Sequence, residues 1–358
     1  MQESSVTPSR SKGSRVLGYL LKYGVPLIIT VGLCYLLFHD IDFYAMLDTI
    51  RRDCDFRWIG AALAVSILSH VLRGARWRIQ LRALGIEASL WELTLSIFGT
   101  YAVNLVFPRL GEVWRTGYVA ERRHAPFATV FGSMVADRLA DTITVLLITG
   151  FTFLLAGAQL LSYLGQNPEA YDTALTLVSS PWLWLTIIIV LVMPAFILVR
   201  YPEAKAVVKI RAVWQRLWDG FAVIVKMPGK GRWLLLTAGV WGCYFFQLYL
   251  AFFSFPVTAQ VVTEHGVTAV LVCFVLSSIS MAVPSNGGIG PWQWAVIFGL
   301  SLYPVAGLTQ EYATTFANLV MGTQTLLLIL LGIFTFTAIA LQRNHSTSHS
   351  PSTSAYES

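Results

Sequence analysis

Residues 101–115 read YAVNLVFPRLGEVWR, and residues 280–294 read SMAVPSNGGIGPWQW. Each is an apolar stretch that stops at a Pro and turns through Gly within a few residues. Neither suits a plain transmembrane helix, because Pro removes a backbone donor and Gly weakens a helix interior. Non-helical backbone at membrane depth persists only where protein or a water-filled cavity satisfies its polar groups. Two such breaks, one in each half of a chain, point to a transport site between them.

The remaining sequence puts these breaks in a membrane. Of 358 residues, 56% are hydrophobic and only 12% are charged. An ordinary soluble domain carries about 25% charged residues. The runs 16–38, 182–199, 233–257 and 325–341 are nearly charge-free and of spanning length. The first follows Arg10, Lys12 and Arg15 and lacks a small-residue cleavage site, so it reads as an uncleaved first helix. The expected organisation is a disordered N-terminus (1–15), one membrane domain (16–342) and a disordered tail (343–358). The polar stretch 200–232 is too short for an enzyme domain. Within it, 210–225 reads as an amphipathic helix on the membrane surface.

Charge sets the expected orientation. Segment 200–232 is rich in Lys and Arg and is assigned to the cytoplasm, together with both termini. Segments 158–180 and 258–266 contain neither residue and are assigned outside. Arg73, Arg76, Arg78 and Arg82 read as a further cytoplasmic signal touching anionic headgroups, with substrate entry as the alternative. These assignments make 90–125 a hairpin that enters from the cytoplasm and returns. Segment 267–304 is either a matching hairpin from outside or two more crossings. The expected fold is all-α and polytopic, with about six to eight transmembrane helices and two broken re-entrant hairpins. Its halves are a candidate inverted repeat, and the expected location is the cell membrane. The net charge of +6 follows from these loops and does not indicate nucleic acid. Cys34, Cys54, Cys243 and Cys273 have no CxxC or Cys/His spacing, so no disulfide framework or metal site is expected.

Three charges interrupt the apolar helix expected over 134–157: Asp137, Arg138 and Asp141. The two Asp share a face, and Arg138 reaches Asp141 at i,i+3. A charge at membrane depth costs about 2.5–3.5 kcal/mol on insertion scales, so these residues face the interior or the interface. They read as a structural salt bridge, or, joined by Arg109, Glu112 and Arg115, as a cationic pocket for a phosphate headgroup. Gly287, Gly288 and Gly290 permit tight turns. A helix starting at Pro291 could offer free N–H groups to an anion, or the glycines could serve packing alone. His70 reads as a packed core residue. Asp40/Asp42 and Asp53/Asp55 have the DxD shape of metal–nucleotide sites, a pattern common by chance. There is no P-loop and no HExxH, so any movement would be passive or driven by an ion gradient, and no cofactor is expected.

Asn104…Pro108-Arg109-Leu110-Gly111-Glu112…Arg115, then Asp137-Arg138…Asp141, then Pro284…Gly287-Gly288-Ile289-Gly290 resemble the transmembrane region of lysyl-phosphatidylglycerol synthases, the flippase-like domain family. The resemblance spans about residues 16–342. It implies translocation of an anionic or aminoacylated phospholipid, or of a polyprenyl-phosphate-linked lipid. The implied substrate-binding positions are Asn104, Arg109, Glu112, Arg115, Asp137, Arg138, Asp141, Pro284, Gly287, Gly288, Gly290 and Gln293. No aminoacyl-transferase domain follows the membrane region, so a stand-alone flippase-like protein is expected. It departs from the family at Gln293, where the resemblance leads one to expect Glu. Two alternatives stay open: a membrane enzyme acting on a lipid-linked sugar, and a non-catalytic partner of a separate lipid synthase.

Overall fold

The structure, a computed structural model, describes residues 43–166, 227–283 and 285–347, with isolated positions between 172 and 200. The first apolar run, most of 182–199, the stretch 210–225, the far ends of both termini and Pro284 lie outside the described residues. All regular structure among the described residues is helical. In chain order the helices are α1 (Phe43–Asp53), α2 (Phe56–Ala83), α3 (Leu90–Val106), α4 (Leu110–Arg122), α5 (Phe127–Gln166), α6 (Lys230–Phe252), α7 (Pro256–Ser280), α8 (Pro291–Ser301) and α9 (Gln310–Thr347).

Local chemistry sets the helix ends. The Asp55 carboxylate caps α2, accepting the Arg57 N–H at 2.9 Å. The Ser89 hydroxyl caps α3, accepting the Glu92 N–H at 3.1 Å. Helix α3 stops at Phe107 because a residue before Pro is pushed out of helical geometry. Arg109 then adopts a left-handed conformation (φ 62) and turns the chain into α4. Pro291 opens α8 at the position where its missing N–H is harmless.

Among the described residues, five helices are long and apolar enough to cross a membrane: Phe56–Ala83, Phe127–Ala158, Lys230–Phe252, Pro256–Ser280 and Gln310–Gln342. Their outer faces carry large apolar side chains in the open, such as Leu147 (70% exposed), Leu154 (83%) and Leu235 (73%). Faces of this kind suit hydrocarbon as solvent. Pro256–Ser280 reaches spanning length only as a sum, because Gly266 (φ 69, ψ −165) breaks it. The limb 267–280 is about 21 Å long, and α3, α4 and α8 are about 26, 20 and 17 Å. All fall short of the roughly 30 Å hydrocarbon core. Both 90–122 and 267–301 are therefore hairpins that enter and return, and the two-crossing alternative for the second does not fit its limb lengths.

The hairpins enter from opposite ends. Helices α2 and α6 run antiparallel. At one end the Asp55 N–H donates to the Ser254 carbonyl at 2.8 Å. At the other, Met227 and Trp233 pack beside Ile79 and Ala83. Helix α3 leaves the second of these ends and α7 the first. The hairpin tips then meet in the middle, where Arg109 Nη2 donates to the Ala282 carbonyl at 2.9 Å. A Cβ on Gly287 would lie 2.6 Å from Leu105 Cδ2. The packing repeats across the halves. As α2, α3, α4 and α5 pack in sequence, so do α6, α7, α8 and α9, while α9 packs on α3 and α5 on α7. This is the contact pattern of an inverted repeat.

The halves differ in what they bury. The second half builds an apolar core from Phe252, Phe255, Val270, Val296, Leu300 and Phe316. The first half has a smaller apolar cluster around Trp77, Leu81 and Leu93, and places charge beside it. Three boundaries differ from the sequence reading. Helix α5 starts at Phe127, not 134, because the modestly apolar residues before 134 still pack. Helix α9 continues through Thr347, beyond 342. Residues 73–82 belong to α2 and not to a loop.

Candidate functional site

The charged residues of the first half converge on one cluster between α2, α4 and α5. Asp137 is fully buried. Its Oδ1 lies 2.7 Å from Arg76 Nη2, and its Oδ2 is 3.8 Å from both Arg73 Nε and Arg115 Nη2. Asp141, one turn along α5, lies 2.8 Å from Arg76 Nη1 and pairs directly with Arg73. Arg73 also donates at 2.8 Å to the hydroxyls of Tyr101 and Tyr244. The Arg76 contacts are close ion pairs but are not aligned as hydrogen bonds.

A second layer sits toward the first hairpin's tip. Arg138 Nη2 donates to Glu112 Oε1 at 2.6 Å, and the Asn104 amide donates to Glu112 Oε2 at 3.3 Å. Asn104 Oδ1 accepts the Gly111 N–H at 2.8 Å, tying the two limbs together. Arg138 and Glu112 are half-buried, and Arg109 at the tip is exposed. The cluster thus runs from an exposed rim to a closed floor.

Arg115 forms that floor. It is fully buried, and its guanidinium lies 4.5 Å above the Trp77 ring. None of its N–H groups makes a hydrogen bond among the described residues. Arg73, Arg76, Arg115 and Arg138 outnumber Glu112, Asp137 and Asp141 by one charge. Buried guanidinium donors are ordinarily satisfied, so a cation with unused donors suits an incoming anion, above all a phosphate, two of whose oxygens can pair with the planar guanidinium fork.

Sequence reasoning placed Arg73 and Arg76 in a cytoplasmic signal touching headgroups. The structure corrects this: both are buried, at 3% and 0% exposure, against Asp137 and Asp141. Their i,i+3 spacing on α2 matches the i,i+4 spacing of the two Asp on α5, a signal visible in sequence only once the helices are known to face each other. His70 lies buried one turn earlier, 4.6 Å from the Tyr101 ring.

The second hairpin contributes backbone and amide groups. Gly287, Gly288 and Gly290 have φ of 64, 87 and 95, so only glycine suits these turns. Gln293 Oε1 accepts the Gly290 N–H at 2.7 Å, so the first turn of α8 is partly capped from within. Pro284 lies outside the described residues. Arg109 is not in the cationic floor but bridges the tips. Replacing Arg109 by alanine is expected to remove about 1 kcal/mol of tip-to-tip restraint. Faster amide exchange at 281–283 and 285–290 with unchanged global melting would register it.

At the base of the first hairpin, Arg123 pairs with Glu92 of α3, and this hydrogen bond holds the Arg123 pKa above its ordinary value. Arg122 donates to Gln342 of α9 at 2.6 Å. The hairpin is therefore anchored at its base as well as its tip.

Residues 4–332 match the family described as "Lysylphosphatidylglycerol synthase TM region". The chain belongs to that family. Among curated relatives of this family member is "Glycosyltransferase AglD" of Haloferax volcanii, 35% identical over 103 residues, which is 28% of this chain and 16% of AglD. A UPF0104 membrane protein of Methanocaldococcus jannaschii is 28% identical over 109 residues, 29% of this chain and 32% of that protein. The chain thus aligns with well under two thirds of either relative. No solved structure matches it. Membership and the apolar helices make this a multi-pass membrane protein.

Proposed function

We propose that this protein moves a phosphate-bearing lipid across the membrane, with the headgroup passing between the two hairpin tips. The observation that carries the reading is Arg115, fully buried with no hydrogen bond on its guanidinium among the described residues. In this role Arg115 takes the phosphate, and Arg138 and Glu112 form the gate at the rim. Asp137 and Asp141 hold Arg73 and Arg76 in place. Because Arg115 is closed off in this conformation, a headgroup reaches it only when the first hairpin shifts against α5. The end of the bundle bearing Arg82, Arg122, Arg123, Lys230 and Arg232 faces the cytoplasm under the positive-inside rule. The first hairpin then enters from that side.

The name of one relative raises an enzymatic alternative, for which this chain offers Asp53 and Asp55. Asp55 caps α2, and Asp53 lies 3.0 Å from Arg52 and 3.5 Å from the Tyr312 hydroxyl. Both carboxylates thus have structural work, which favours translocation. The experiment is reconstitution in liposomes with a fluorescent anionic lipid, reading transbilayer movement by quenching. Wild type should accelerate movement, and Arg115→Gln should slow it at least about tenfold. No acceleration with any anionic phospholipid or polyprenyl phosphate, or full activity of a folded Arg115→Gln, overturns the reading.

A further inference from the structure

The two return limbs carry different residues at the same place. Glu112 is the third residue of α4, and Gln293 is the third residue of α8. In the first hairpin the carboxylate is spent on Arg138. In the second, Gln293 borders a groove of about 390 Å³ between α8 and α9. Asn318 and Thr325 are its other side-chain polar groups, and Met321, Leu326 and Ile329 line the apolar side. Among the described residues no charged side chain lines it.

This groove contains unspent amide chemistry. Both polar atoms of the Asn318 carboxamide are buried without a hydrogen bond among the described residues. Gln293 is 3% exposed, and its Oε1 accepts the Gly290 N–H. Carboxamides both donate and accept, which matches hydroxyl groups. An ammonium group would find no counter-charge among the described residues of that lining. The carboxylates of the cluster offer none either, since Glu112, Asp137 and Asp141 are each already held by arginine. An ammonium taken out of water without a partner is strongly disfavoured.

We infer that the groove between α8 and α9 receives the uncharged, hydroxyl-bearing part of a lipid headgroup, and that the protein selects phosphate lipids lacking an amine. Gln293 and Asn318 hydrogen-bond the hydroxyls, while Leu326 and Ile329 take the adjoining hydrocarbon. This rests on the translocase reading and narrows its substrate class. Glutamate at 293 would keep the cap, because a carboxylate oxygen accepts the Gly290 N–H equally well and suits a helix N-terminus. Gln293→Glu therefore changes the charge of the groove while keeping the hydrogen bond that caps α8.

The test uses the full chain in liposomes with two labelled probes. One is phosphatidylglycerol, and the other is its lysyl ester, which adds two ammonium groups to the same phosphate. Wild type should move phosphatidylglycerol at least about tenfold faster than the ester, and Gln293→Glu should narrow that ratio by about tenfold. Asn318→Leu should slow phosphatidylglycerol without favouring the ester. Equal or faster movement of the ester by wild type overturns the inference, as does an unchanged ratio in folded Gln293→Glu. In both cases the translocase reading stands. Movement of neither lipid overturns this inference, and failure to move a polyprenyl phosphate as well overturns the translocase reading with it.

Discussion

Replacing Asp137 by alanine is expected to cost about 3–5 kcal/mol of folding stability. That is a large fraction of the roughly 5–15 kcal/mol that holds a typical fold together. Asp137 is the carboxylate nearest to both Arg76 (2.7 Å) and Arg115 (3.8 Å), and all three side chains are fully buried. Without it, the cluster keeps four guanidinium groups against two carboxylates, and three of the four guanidinium groups are buried. Asp137→Asn retains the shape and removes the charge, so it should lose nearly as much. If volume were the cause, the asparagine variant would stay near wild type. Combining Asp137→Asn with Arg76→Gln should recover part of the loss, because the nearest orphaned cation goes with the anion. Melting of the purified protein in detergent reads all three. Single variants that melt with wild type would show that the Asp137 charge does not hold the cluster together.

The second large effect is expected at Gly111. A Cβ there would stand 2.1 Å from the Thr100 carbonyl oxygen and 2.8 Å from Asn104 Oδ1. The first obstacle is backbone, so no rotamer change relieves it. Overpacking costs about 1–3 kcal/mol, occasionally more, and Gly111→Ala belongs at or above the upper end. It forces α3 and α4 apart and breaks the Asn104 hydrogen bond that ties them. Glu112, the next residue, moves with the limb, so lipid movement should fall together with melting temperature. Gly99→Ala is the informative contrast. Its Cβ would meet the far edge of the Trp114 ring at 2.3 Å, a side chain that can swing outward. It should therefore cost less than Gly111→Ala. The reverse order would mean that the limbs are not held at backbone contact.

Much of the fold was legible in the chain. Pro108 and Pro284 with the glycines that follow them marked hairpin tips, because no other residues break a helix so reliably. Length alone assigned α6 and α9 as crossings. The second hairpin stayed ambiguous because charge counting fixes only the parity of crossings, and two returns or two crossings give the same parity. Gly266 decided it, and a lone glycine in an apolar run gives no warning that φ will be positive. Asp137, Arg138 and Asp141 were recognisable as a site because charge is rare in apolar helices. Arg73 and Arg76 were misread because basic residues near a helix end normally signal orientation, and hydropathy does not show which helix face meets a neighbour.

By itself the sequence determined the solvent, the broken hairpins and the residue types available for a site, since these follow from local composition and backbone chemistry. Only the tertiary structure decided which charges meet. The register between α2 and α5 pairs Arg73 and Arg76 with Asp137 and Asp141, and leaves Arg115 without a hydrogen bond among the described residues. Such pairing depends on contacts between segments some sixty residues apart along the chain. It is set by how helices pack, and no local pattern encodes that.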